Sequence, residues 1–184
     1  LFRSGPDSEG YKEGYFGEAK FKWIASFFQL NLTTLLVMDS GNHCLRFIVR
    51  ISGQTSRLQG MCGISGFQNG LDARFHHPYT VILDTMEENQ LLLLDNENAC
   101  LRSMNRINLR VSTSTIFDPS DKEFSNMILL TNGNLYVARE DAIIEYTYAT
   151  KRASEIRSST HYQPTQGLLL LASNQLLPAD VLSL

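Results

Sequence analysis

The feature that most constrains this chain is an internal repeat. Residues 35–46 read LLVMDSGNHCLR, and residues 91–102 read LLLLDNENACLR. In both copies an apolar run ends at Asp, turn-forming residues interrupt it, and a second run of alternating side chains begins at Cys. This pattern predicts a β-hairpin. The two hairpins lie about 56 positions apart, which is the scale of one supersecondary repeat.

Each repeat has room for four short strands. They are predicted at about 22–28, 34–39, 43–49 and 56–61 in the first repeat, and at about 79–84, 90–95, 99–104 and 110–116 in the second. Four strands per repeat are typical of a β-propeller blade, and the 3.6-residue period of a helical solenoid is absent. We therefore predict an all-β fold of antiparallel four-stranded blades.

The chain divides into unequal units. Residues 14–21 resemble residues 66–75, the crossover that leads from one repeat into the next, so we expect a blade before the first repeat. The fold is therefore expected to be an incomplete propeller or part of a larger one. The predicted units are a blade tail and crossover at 1–20, blade 1 at 21–62, a crossover and blade 2 at 63–116, a divergent blade 3 at 117–158, and a partial blade 4 at 159–184.

Composition narrows the function classes. A net charge of -3 argues against a nucleic-acid binder, which normally carries a basic face. No apolar run reaches membrane-spanning length, so we expect no membrane span. The first residues do not have the basic and then apolar pattern of a signal peptide.

The repeat, together with the sequence between its copies, resembles the NHL repeat. That family pattern has an apolar strand ending in Asp, a turn with Asn, often Asn-His, and then a strand that begins with an aliphatic-Arg pair. A glycine-rich crossover and a Phe-x-x-Pro motif follow. Residues 34–104 match well, residues 14–33 and 121–147 match in part, and the last 30 residues match poorly. In the third unit Arg139-Glu140-Asp141 replaces Asp-x-x-Asn, and we expect a shorter turn there.

The motif residues fit structural roles. Asp39, Asn42, Asp95 and Asn98 are predicted to bond backbone N–H groups of their own turns. The alternative is that the two Asp residues line a tunnel and bind a metal. Three equivalent aromatic residues are predicted to pack between blades; they are Phe21, Phe75 and Phe124.

The cysteines indicate whether the protein is secreted or cytosolic. Cys44 begins the third strand of blade 1 and Cys62 ends the fourth, so their sulfurs could meet. Secreted NHL repeats have a similar pair, and this resemblance implies a Cys44–Cys62 disulfide. Cys100 has no cysteine at the expected partner position near residues 116–117. The alternative is a cytosolic protein with free buried thiols.

A glycosylation sequon supports the first interpretation. Asn31-Leu32-Thr33 falls in the predicted loop between the first two strands of blade 1. Together with the cysteine pair, it favours a secreted, extracellular or cell-surface glycoprotein over a cytoplasmic protein.

The sequence predicts no catalytic residue, no metal site and no cofactor. The adjacent His76 and His77 are expected to point to opposite faces of a strand and therefore not to share a metal. No nucleophile elbow or phosphate loop is present. Arg46 and Arg102 are repeat-equivalent, so they are expected on blade surfaces rather than in an RNA-binding stripe.

These patterns favour a non-enzymatic NHL-like propeller module that binds protein or assembles within a larger protein or complex. Propellers present a rigid rim of loops that suits protein recognition. Two alternatives remain: a propeller hydrolase or lyase with a tunnel metal site, and an RNA-binding NHL domain.

Overall fold

A computed structural model describes residues 9–118, 124–140, 142–147, 150 and 152–156. The predicted partial blade at 159–184 lies outside these residues. The described part is all-β, and the predicted antiparallel four-stranded sheets are confirmed. Sheet 1 contains β1 (Ile24–Gln29), β2 (Thr34–Asp39), β3 (Cys44–Val49) and β4 (Thr55–Gln59); sheet 2 contains β5 (Pro78–Leu83), β6 (Gln90–Asp95), β7 (Cys100–Asn105) and β8 (Val111–Ile116); sheet 3 contains β9 (Asn126–Leu129), β10 (Asn134–Ala138), β11 (Ile143–Thr147) and β12 (Arg152–Ile156).

In every sheet the strands pair in chain order, as in a propeller blade. The central hairpins of sheets 1 and 2 have the same register, with Asp39 opposite Cys44 and Asp95 opposite Cys100. Within β2 and β6 nearly every side chain is buried, since both faces of these strands are covered. This explains why the apolar runs in the sequence are continuous rather than alternating.

Neighbouring sheets pack face to face. One core joins blades 1 and 2 through Leu36, Met38, Leu91 and Leu93, among others, and Phe75 is buried in it. A second core joins blades 2 and 3 and contains Phe124. Phe21 lies in a smaller cluster with Val37 and Ile48, on the face of blade 1 directed away from blade 2. The first strands of successive blades, β1, β5 and β9, lie beside one another, as expected for the inner strands of a propeller.

The central turns have equal lengths in all three blades. Four residues separate the paired Asp39 and Cys44, and four also separate the paired Ala138 and Ile143. The prediction of a shorter turn in the third unit is therefore wrong, because Ala138 rather than Arg139 occupies the position of the lost Asp. Within the described residues, the only helices are two three-residue 3-10 turns, and neither has the length or apolarity to cross a membrane.

Candidate functional site

A buried network, here called the anchor network, holds the central turn of blade 1. Asp39 accepts hydrogen bonds from the side chains of Asn42, at 2.9 Å, and Arg46, at 3.2 Å. Its other carboxylate oxygen accepts the backbone N–H of Lys22 at 2.9 Å. Both Asp39 and Arg46 have fully buried side chains. The network therefore connects the hairpin to the segment that precedes β1.

Blade 2 repeats the anchor network residue for residue. Asp95 accepts hydrogen bonds from Asn98 at 2.8 Å, from Arg102 at 2.7 Å and from the backbone N–H of His76 at 2.7 Å. Burial raises the pKa of Asp95, and that of Asp39, while these donors favour the charged carboxylate. Each network contains a buried salt bridge, between Arg46 and Asp39 in blade 1 and between Arg102 and Asp95 in blade 2.

The crossovers complete both networks. Residues 10–21 form crossover 1, and residues 66–75 form crossover 2. Asn42 and Asn98 donate to the carbonyls of Gly10 and Gly66, both at 2.9 Å. Each arginine also donates to two crossover carbonyls and lies between two aromatic rings. For Arg46 these groups belong to Lys12, Lys20, Tyr11 and Phe21; for Arg102 they belong to Gln68, Arg74, Phe67 and Phe75.

These contacts correct two expectations. The carboxylates of Asp39 and Asp95 bond N–H groups of the preceding segment, and the 3-10 turns that follow them have no side-chain cap. Arg46 and Arg102 are 0% exposed instead of lying on blade surfaces. An arginine that neutralises a buried carboxylate has the same spacing in the sequence as a surface arginine, so the repeat alone could not distinguish them.

The anchor networks also fix the backbone of two equivalent dipeptides, Lys22-Trp23 and His76-His77. Their carbonyls accept hydrogen bonds from backbone N–H groups of the following turn. Trp23 and His77 both adopt a left-handed conformation, with φ of 51° and 53°. The anchor thus determines the direction in which the side chains of these dipeptides leave the chain.

Three histidines meet at the junction of blades 1 and 2. His43 comes from the turn of blade 1, and His76 and His77 directly precede β5. One ring nitrogen from each residue lies within 4.8 Å of the others. The backbone N–H of His77 donates to Nδ1 of His43 at 3.2 Å, and the ring centroids of these two residues are 4.5 Å apart. We call this group the histidine cluster.

The expectation that His76 and His77 point apart is wrong. Side chains alternate only in extended backbone, and the left-handed φ of His77 breaks that alternation. The two rings consequently stack on one side, with centroids 5.4 Å apart. The sequence contained one relevant signal, because a histidine before proline disfavours helical backbone, but this does not predict a positive φ.

Two of the three histidines, His43 and His77, have a lowered pKa, which favours their neutral form. Burial lowers the pKa of His43 to about 4, and the positive charges that His77, His76 and Lys22 can carry lower it further. Burial also lowers the pKa of His77, with a contribution from His76, while Glu97 acts in the opposite direction. Near neutral pH these imidazoles therefore retain a nitrogen lone pair, which is the form that binds a metal ion.

The surroundings of the histidine cluster are aromatic and polar. The indole of Trp23 lies 5.5 Å from the ring of His77 and 5.9 Å from that of Tyr79. The hydroxyl of Ser40 is 3.5 Å from Nδ1 of His77. Sequence reasoning did not place these residues at a site.

Within the described residues of blades 1 and 2, the other equivalent positions carry no such set of histidines. Ala99 takes the left-handed position of His43 in blade 2, with φ of 46° against 59°. Lys22 and Trp23 take the positions of His76 and His77 in blade 1. The histidine cluster is therefore specific to one junction, whereas the anchor network is repeated.

The remaining predicted site residues lie elsewhere. A disulfide joins Cys44 and Cys62, whose Cα atoms are 5.1 Å apart. Cys100 is a buried free thiol, and burial raises its pKa to about 12. Asn31 is exposed in the β1–β2 loop, and its side-chain oxygen accepts hydrogen bonds from Thr33, so the sequon is at the surface.

Comparisons with known proteins show which solved structures have a similar fold. No protein-family profile and no curated protein sequence matches the chain. Among solved structures, it is similar to a nidogen/laminin complex (TM-score 0.56, 12% identity, covering 78% of this chain and 52% of that chain). It is also similar to a streptogramin B lyase (TM-score 0.54, 10% identity, 74% and 41%). A third is the extracellular domain of BT4673 from B. thetaiotaomicron (TM-score 0.51, 16% identity, 75% and 18%).

These neighbours are β-propeller proteins. At such low identity they establish the β-propeller architecture and not the NHL family. The chain spans about half or less of the length of each neighbour's chain.

Proposed function

We propose that this chain is a non-enzymatic, NHL-like part of a β-propeller that binds protein. In this proposal the outward face of blade 1, directed away from blade 2, packs against a further blade of the same polypeptide, and the assembled rim of loops recognises a protein partner. One observation carries the proposal: Phe27 is 71% exposed, whereas Val81, its equivalent in blade 2, is 6% exposed.

The equivalence follows from strand register. Phe27 pairs with Val37, and Val81 pairs with Leu93, which occupies the same place in its hairpin as Val37. Val81 is covered because its face packs against blade 1. The corresponding face of blade 1 exposes a large aromatic ring instead. In this proposal the exposed ring of Phe27 belongs to a junction that another blade covers.

The shape of the open region indicates its occupant. Crossover 1 already covers the half of the face around Arg46, through backbone pairing of Gly14 with Thr55. The region around Phe27, on the first strand, is left open. Between blades 1 and 2 the corresponding region lies at the contact of β1 with β5. The first strand of another blade therefore fits this place.

The comparisons support the proposal. The matched regions cover 52% or less of each neighbour's chain, which leaves room for further blades. One neighbour was solved as a complex of two proteins, nidogen and laminin. The disulfide of blade 1, the exposed sequon and the extracellular-domain neighbour favour the secretory pathway for this chain.

The test compares Phe27→Asp with Leu32→Asp, an 83% exposed residue in the adjacent loop. In the isolated 184-residue chain both variants should lose less than about 1 kcal/mol, as exposed positions do. In the native full-length protein Phe27→Asp should cost more than about 2 kcal/mol, because it buries a charge at a blade junction. Thermal unfolding of all four proteins provides the measurement. Equal stability of the two variants in the full-length protein would contradict the proposal.

A further inference from the structure

The histidine cluster has the composition of a transition-metal site. We propose that His43, His76 and His77 bind one divalent zinc ion at the junction of blades 1 and 2, with a fourth position open to water or another ligand. Imidazole nitrogen is a preferred zinc ligand, and three protein ligands plus one open position form a recognised zinc arrangement.

The distances are close to those required. With Zn–N bonds of about 2.0–2.1 Å, tetrahedral ligands lie about 3.3 Å from one another. The three ring nitrogens lie within 4.8 Å of one another, so zinc binding requires them to approach by no more than about 1.5 Å. Binding through Nδ1 of His43 replaces its hydrogen bond from the His77 backbone.

The backbone beneath the cluster is preorganised. The N–H of His76 is held by Asp95, and its carbonyl accepts from Glu97. The carbonyl of His77 accepts from Asn96, while His43 is fixed in its left-handed conformation by a hydrogen bond to Ser40. A metal ion binding here therefore orders few additional groups, which favours affinity.

Two charged residues near the cluster, Lys22 and Glu97, have opposite effects on the histidines. Lys22 is close enough to lower the pKa of both His43 and His77, so it also disfavours a bound cation. Glu97 has the opposite effect on His77. Three uncharged nitrogen ligands select a borderline metal such as zinc over magnesium or calcium, which prefer oxygen.

The repeat supplies substitutions that the backbone accommodates. His43→Ala introduces the residue that blade 2 carries as Ala99. His76→Lys and His77→Trp introduce the residues that blade 1 carries as Lys22 and Trp23, the latter with the same positive φ. Glu88, an exposed acidic residue in the loop between β5 and β6, serves as the control in Glu88→Gln.

Calorimetric titration of the full chain with zinc chloride tests the proposal. We expect one zinc per chain, a dissociation constant weakened about 10-fold or more by each cluster substitution, no change with Glu88→Gln, and no binding of magnesium chloride. Absence of stoichiometric zinc binding, or binding unaffected by all three substitutions, would overturn it.

A second measurement does not depend on the variants folding. Diethyl pyrocarbonate modifies accessible histidines, and peptide mapping by mass spectrometry locates the modified residues. In the wild-type chain, zinc should protect His43, His76 and His77 from this reagent. Equal modification of the three cluster histidines with and without zinc would refute the proposed site.

Discussion

Blades 1 and 2 contain the same buried anchor network, but they differ in their cysteines, in the exposure of their first strands and in a residue of their central turns. Blade 1 has a disulfide, an exposed Phe27 and His43 in its turn. Blade 2 has a free thiol, a buried Val81 and Ala99 at the same places. The repeated residues therefore build the blade, while the unrepeated residues make each junction different.

Blade 3 shows which part of the network the sheet itself requires. Its hairpin has the same register and turn length, yet Ala138 replaces the Asp, and Glu145 takes the position of the Arg. Glu145 accepts hydrogen bonds from Tyr136 and Asn134 instead. A four-stranded sheet thus forms without the anchor network, which we interpret as a device for holding the crossover against its blade.

The largest effect is expected from breaking the anchor of one blade. Asp95→Ala leaves the fully buried Arg102 without its carboxylate, and should destabilise the protein by about 3–5 kcal/mol. Chemical denaturation gives this value. The exposed Asp72→Ala is the control and should stay within about 0.5 kcal/mol of wild type. If both variants had equal stability, the network would not hold blade 2.

Removing the disulfide tests the asymmetry between the blades. The double variant Cys44→Ser and Cys62→Ser frees a loop with a sequence separation of 18. The chain-entropy relation gives a loss of about 3 kcal/mol for such a loop. Reduction of the wild-type protein should lower its stability to a similar extent, with no further loss on reducing the double variant. Full stability after verified reduction would contradict this prediction.

Alanine substitutions of Phe27 in β1 and of the equivalent Val81 in β5 compare the open face of blade 1 with the covered face of blade 2. Val81→Ala removes two buried methyl groups and should cost about 2 kcal/mol. Phe27→Ala in the isolated chain should change stability by less than about 0.5 kcal/mol, since its ring is mostly in solvent. Urea unfolding curves of both variants measure this difference. Similar losses would show that the two faces are equally covered.

A further prediction concerns the reactivity of the Cys100 thiol, which requires no change in stability. Its pKa of about 12 keeps the thiol protonated, and it is buried, so native protein at pH 8 should not react with iodoacetamide. In urea without reductant, one thiol per chain should become labelled, because the other two of the three cysteines are bridged. Rapid labelling of the native protein would place Cys100 in an accessible position.

The sequence was sufficient for the fold and insufficient for the site. The apolar runs and turn residues predicted the four strands of blades 1 and 2 and a divergent third blade, because strands and turns follow from local patterns. The partners of Asp39 and the burial of Arg46 depend on Lys22 and on crossover 1, which contact the hairpin from 17 or more residues away in the sequence. The histidine cluster depends on a positive φ at His77 and on contact between two blades. Neither the positive φ nor the contact between blades produces a periodic pattern in the sequence from which it could be predicted.

The central hypothesis is that another blade covers the face of blade 1 around Phe27. Photo-crosslinking tests this hypothesis most directly. Benzoylphenylalanine placed at position 27 of the native full-length protein reacts with whatever covers that face, and the same group at Leu32 is the control. We predict an intramolecular crosslink from position 27 to a strand of another propeller blade, and none from position 32. Absence of a crosslink at position 27, or a crosslink to a different protein, would contradict the account.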